Sequence, residues 1–69
     1  MNTTINKIAG YRNMLGLTQV DMAKYLDISP QSYSNKERGY RSFNDFEKTM
    51  IKEIFSQHFE NITIDSLFF

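Results

Sequence analysis

Apolar residues recur at helical spacing along most of the chain. Ile5, Ile8, Ala9, Arg12 and Leu15 share one face of a stretch that Gly16 ends, which predicts a first helix over Ile5 to Leu15. Met22, Ala23 and Leu26 mark the inward face of a second, over Gln19 to Leu26. A third, Pro30 to Arg38, is almost wholly polar and is closed by Gly39. The fourth opens at Asn44, with Glu47 three residues on, and its periodicity assigns Phe46, Met50, Ile51, Ile54 and Phe55 to the interior. A short fifth turn after Thr63 carries Leu67, Phe68 and Phe69. Only NITID resembles a strand, and it is too short and lacks a partner. The pattern predicts an all-α fold of five helices, with residues 1–69 forming one domain.

The helix starts share a signature. Leu17-Thr18…Met22, Ile28-Ser29…Tyr33 and Ile62-Thr63…Leu67 each place a hydroxyl residue between two apolar ones. The hydroxyl caps amide groups that have no carbonyl partner, and the flanking pair closes a hydrophobic staple. The chain's one proline, Pro30, then falls at a first helical position, where its missing N–H costs nothing.

Composition narrows the function classes. The chain has 69 residues, ten aromatic side chains and no cysteine, so neither disulfides nor thiolate-bound zinc hold it together. His58 is the sole histidine, and no motif pairs a nucleophile with a base. An enzyme is therefore not expected, nor a metal or other cofactor. The methionines beyond the initiator read as core fillers. No run approaches membrane-spanning length, and MNTTINKIAG lacks the apolar stretch of a signal peptide; no membrane association is expected, and a cytoplasmic location is. The net charge is zero, yet residues 1–41 hold six basic against three acidic side chains, and residues 42–69 hold two against five. The halves thus carry +3 and −3.

The third helix raises the question of what a polar segment is for. Tyr33 points inward as a staple partner and Glu37 shares its face. Gln31, Ser34, Asn35 and Arg38 form the opposite stripe, every member able to hydrogen-bond and none acidic. Gln and Asn pair bidentately with adenine, while Arg suits guanine or phosphate. A solvated surface is the plain alternative for such a stripe. The preceding helix, joined by a tight turn, favours a segment presented to a major groove.

Leu17 to Gly39 resembles the helix-turn-helix of the lambda-type phage Cro and repressor proteins, within the larger xenobiotic-response-element family. The matching residues are Leu17-Thr18-Gln19, Met22-Ala23, Leu26, Ile28-Ser29, Tyr33 and Glu37-Arg38-Gly39, with residues 18–38 as the motif's core. The resemblance implies a five-helix Cro/repressor-like domain and a sequence-specific transcriptional regulator of operator DNA in a bacterial host cell. It implies that Gln31 and Asn35 read base edges with Pro30 and Ser34 beside them, and that Gln19 grips phosphate. Free amides and the positive helix end favour an anion at Gln19. It further implies that Arg12 and Glu37, both oddly placed on inward faces, form a partly buried ion pair.

Three departures qualify the likeness. Asp27 stands where the family usually has Gly, a mild change because Asp tolerates the left-handed conformation. Lys36 takes a site more often apolar, so its stem snorkels or the site faces out. Pro30 lacks a side-chain donor, so a common base contact is missing. After the helix, Lys36, Arg38, Tyr40 and Arg41 form a basic patch that serves as phosphate clamps or is plain surface charge. The rival function is an antirepressor of the same fold, docking on a phage repressor protein; the neutral total charge and the tail Leu67-Phe68-Phe69 suit it. An antitoxin-like autoregulator shares the DNA chemistry. A homodimer is expected where operators are two-fold symmetric.

Overall fold

The computed structural model describes residues 7–68 and is all-α among them: α1 Lys7–Met14, α2 Gln19–Leu26, α3 Pro30–Glu37, α4 Asp45–Ser56 and α5 Ile64–Phe68. Local chemistry sets these bounds. Thr18 caps α2 by accepting from the Asp21 amide while the Asp21 carboxylate accepts from the Thr18 N–H, a reciprocal capping box. Ser29 caps α3 by accepting from the Ser32 amide, with Pro30 at its first position. Asn44 and Glu47 form a second box at α4. Thr63 and Ser66 exchange amide-to-hydroxyl bonds at α5, each 3.0 Å.

The stops are equally specific. After α1, α2 and α3 the chain turns through Gly16 (φ 74°), Asp27 (φ 59°) and Gly39 (φ 91°). At each, the next residue donates back to a carbonyl five residues earlier: Leu17 to Arg12, Ile28 to Ala23, Tyr40 to Asn35. The turn residue itself donates to a carbonyl three earlier, which makes each stop a Schellman motif. Asp27 is the non-glycine member of this trio. Asp27→Gly therefore raises stability by roughly 0.5–1 kcal/mol, by removing left-handed strain. A thermal melt checks it, and a lowered melting temperature would show that the aspartate contributes something beyond the turn.

Tyr33, Phe55, Met22 and Ile51 are fully buried, and around them pack Ile8, Ala23, Leu26, Phe43, Ile62 and Leu67. Each large side chain taken out of water here contributes about 1.5–3 kcal/mol before entropy is counted. Tyr11 packs its ring against Phe55 and Phe59, at centroid distances of 5.5 and 4.9 Å. Phe43 lies between Tyr33 and Phe68 at 5.9 and 5.7 Å, joining α3 to α5. The tail residues Leu67 and Phe68 thus pack back on the body.

Several expectations need correction. Phe46 is 62 % exposed, because the first turn of α4 runs past the core and Glu47 rather than Phe46 faces α3. Its interior place goes to Phe43, in the loop just before the Asn44 cap. Met14 is 70 % exposed, so of the methionines Met22 and Met50 fill space while Met14 does not. Helix α3 ends one residue before Arg38, which is its C-cap, and Leu15 lies just past α1. Ile5, Phe69 and the initiator Met1 lie outside the described residues.

Candidate nucleic-acid interface

The inner face of α3 is anchored through one carboxylate. Arg12 Nε donates to Glu37 Oε2 at 2.8 Å and its Nη2 to Oε1 at 3.1 Å, a bidentate pair from α1 to α3. The Tyr33 hydroxyl donates to Oε2 at 2.6 Å and Gln19 Nε2 donates to Oε1 at 2.9 Å. A third Arg12 nitrogen, Nη1, donates to the Leu17 carbonyl, fixing the α1–α2 turn as well. Both charged side chains are well covered, 12 % exposed for Arg12 and 4 % for Glu37. Burial by itself raises the Glu37 carboxyl, but the bonds from Arg12, Tyr33 and Gln19 outweigh it and hold the group below its ordinary 4.5. Burial and the Glu37 bond push the Tyr33 hydroxyl far up, so it stays a donor.

The sign of the resulting pH dependence follows. A carboxyl that ionises more readily when folded adds stability above its unfolded value, and that stability is lost as pH falls through the lower folded value. The melting temperature of the native chain therefore drops steeply in acid below about pH 4.5. That of Glu37→Gln starts lower at neutral pH and falls less. Parallel acid melts would contradict a depressed Glu37.

The outer face is different in kind. Gln31 is exposed and Asn35 half-buried, and Gln31 Nε2 donates to Asn35 Oδ1 at 3.2 Å across one turn. Pro30 and Arg38 are exposed, and Tyr40, 74 % exposed, and Arg41 follow in the loop. The Tyr40 and Arg41 amides donate to the Asn35 carbonyl at 2.9 and 3.3 Å, which seats that loop on the end of α3. Ser34 does not belong to this surface. It is 9 % exposed, its position lying only about 60° around the helix from the inward-facing Glu37.

Charge is sorted in the same way. Lys36 does not join a basic patch: its Nζ lies 2.6 and 2.8 Å from the two Glu47 oxygens. Arg38 and Arg41 make no ion pair among the described residues, which leaves two guanidinium groups beside the amide surface. Gln19 stands at the first position of α2, oriented by Glu37, and its remaining N–H is uncommitted to that carboxylate. His58 is exposed just beyond α4, and no cluster of three His, Asp or Glu that could hold a metal occurs among the described residues. No helix among them is long and apolar enough to cross a membrane.

Sequence reasoning missed the Lys36–Glu47 pair. Its signal was a lysine at a customarily apolar site, together with a capping-box glutamate whose second oxygen needed a donor. It also missed an apolar groove on another side of the molecule, about 380 Å³, lined by Leu15, Leu17, Tyr25, Met50 and Ile54 with Glu53, Gln57 and His58.

No curated protein and no solved structure matches the chain. A family model described as helix-turn-helix matches residues 3–46, more than half of the sequence, and spans α1, α2, α3 and the start of α4. The family is of the Cro and phage-repressor type, consists of DNA-binding regulators rather than enzymes, and suggests DNA binding and transcriptional regulation. With that match and with α2 and α3 capped, stapled and joined through Asp27, the chain belongs to the helix-turn-helix family.

Proposed function

We propose that the chain is a sequence-specific regulator of transcription of the phage Cro or repressor type, binding double-stranded operator DNA with α3 in the major groove. The observation that carries this reading is the hydrogen-bonded amide pair Gln31–Asn35 on the outer face of a helix whose inner face is clamped by Glu37. Amides read base edges; Arg38, Tyr40 and Arg41 contact phosphate; Gln19 meets a phosphate at the start of α2. Pro30 supplies shape beside the readers, and Ser34 supports the helix from behind. A two-fold operator calls for a homodimer that sets its third helices about 34 Å apart, one DNA turn.

The test is a fluorescence-polarisation titration with DNA from the protein's own promoter region, repeated over a salt series. Two arginine contacts per copy predict a log–log slope of roughly −1.8 per copy, shallow for a DNA binder. Saturable binding with such a slope supports the reading, and no binding at low salt would end it.

A second reading has its own observation. The groove beside Leu15, Tyr25 and Ile54, with Val20, Tyr25 and Met14 47–70 % exposed, offers apolar surface that DNA would not use. That surface suits an antirepressor binding a repressor protein. If Gln31→Ala and Asn35→Ala leave DNA binding unchanged while Tyr25→Ala abolishes a repressor pull-down, this second role replaces the first.

A further inference from the structure

We propose that Lys36 is a positioning residue for the loop between α3 and α4 rather than a phosphate contact, an inference that rests on the DNA-reading role for its consequence but not for its geometry. That loop, residues 38–44, is tied to α3 at both ends. At its start the Tyr40 and Arg41 amides bond the Asn35 carbonyl. At its end the Asn44 amide donates to Glu47 Oε1 at 2.9 Å, and the same oxygen accepts from Lys36 Nζ at 2.8 Å. Through Glu47, Lys36 thereby connects the last turn of α3 to the residue that caps α4. Next to Asn44, Phe43 is buried against Tyr33 and Phe68, which anchors the same end of the loop a second time.

Between these two ties the side chains of Tyr40, Arg41 and Ser42 stay exposed. The pair is covered, with side chains 16 % exposed for Lys36 and 4 % for Glu47, so the ammonium is spent on the protein. An exposed lysine here would place one more cation among the phosphate contacts. A lysine locked to Glu47 instead sets where the Arg41 guanidinium stands relative to Gln31 and Asn35. Because Glu47 is nearly buried, losing Lys36 leaves a carboxylate short of donors, and the Asn44 end of the loop loosens.

The experiment uses the full chain with Lys36→Met, Glu47→Gln and Lys36→Arg, each checked for helical content by circular dichroism. Glu47→Gln keeps an acceptor for the Asn44 amide and so preserves the cap if Lys36→Met fails to fold. Amide exchange followed by NMR reads the loop without DNA, and the promoter titration over salt reads the consequence. Expected in Lys36→Met is exchange at Tyr40, Arg41 and Asn44 roughly tenfold faster, and in Glu47→Gln the same change at Tyr40 and Arg41 with Asn44 still protected; operator binding weakens by a similar factor in both. The salt slope stays that of the native chain, and Lys36→Arg restores both readouts. A slope shallower by about 0.9 per copy in Lys36→Met would identify a phosphate contact and overturn the proposal. Unchanged exchange in the loop would overturn it too. If the native chain binds no duplex, the DNA reading fails, and the exchange comparison alone still decides the role of Lys36.

Discussion

Arg12→Met lowers the melting temperature by at least about 12 °C. Removing one partner of a covered ion pair costs about 3–5 kcal/mol, because the other charge is stranded out of water. Each kcal/mol shifts the midpoint of a domain this small by about 4–8 °C. Glu37 keeps donors from Tyr33 and Gln19 after the change, so it is not orphaned, but its charge is no longer balanced. Whole-domain stability near 0.05–0.15 kcal/mol per residue amounts to roughly 3–10 kcal/mol here, so the loss removes about a third of it or more. Replacing Arg12→Met, Glu37→Leu and Tyr33→Phe together recovers part of the loss, since the apolar set carries no desolvation cost and leaves no buried hydroxyl without an acceptor. A single variant melting within a few degrees of the native chain would show that the pair contributes nothing.

The second large effect is on binding. Gln31→Ala and Asn35→Ala each weaken binding to the correct operator by about 1–3 kcal/mol, five- to 150-fold, while affinity for unrelated DNA stays the same. Both positions lie on the outer face and alanine is the best helix former, so melting temperatures change little. The double substitution costs less than the product of the two, because the amides bond each other and either loss disturbs its neighbour. Arg38→Ala and Arg41→Ala behave in the opposite way, weakening all duplexes alike and flattening the salt slope by about 0.9 per contact. Competition titrations with operator and scrambled duplexes separate the two patterns. Equal loss on both duplexes from Gln31→Ala would deny it a reading role.

Elements governed by near neighbours were legible in the sequence. Thr18, Ser29, Asn44 and Thr63 cap what they were expected to cap, and Gly16, Asp27 and Gly39 end the helices before them. Each of these signals acts within about five residues, so no knowledge of packing is needed. Phe46 shows the limit. It keeps perfect helical spacing with Met50 and Ile54, but periodicity does not say how far along α4 the core extends. Phe43 held the better clue, standing just before the cap where an apolar residue folds back over the helix start. Ser34 failed for a related reason: the wheel put it on the stripe with Gln31 and Asn35, but periodicity does not say how far the covered face extends around α3.

The site was legible in uneven measure. Gln31, Asn35, Arg38, Tyr40 and Arg41 stand on one exposed or half-exposed surface, as the polar stripe and the residues after it suggested. Pairing of Arg12 with Glu37 came from family resemblance, since composition alone marks only that each is oddly placed. Lys36 and Glu47 lie eleven residues apart on two elements, so each is marked as unusual in the sequence but nothing local joins the one to the other. The apolar groove required three elements to be assembled before it existed at all.

The proposed DNA-reading role requires α3 to turn its amide face toward nucleic acid. Titrating the isotopically labelled chain with its own promoter duplex, and following amide shifts by NMR, tests that directly. The largest shifts fall on the side-chain amides of Gln31 and Asn35 and on the backbone of Arg38 to Arg41. Shifts confined to Leu15, Tyr25 and Ile54, or none at saturating DNA, would contradict it.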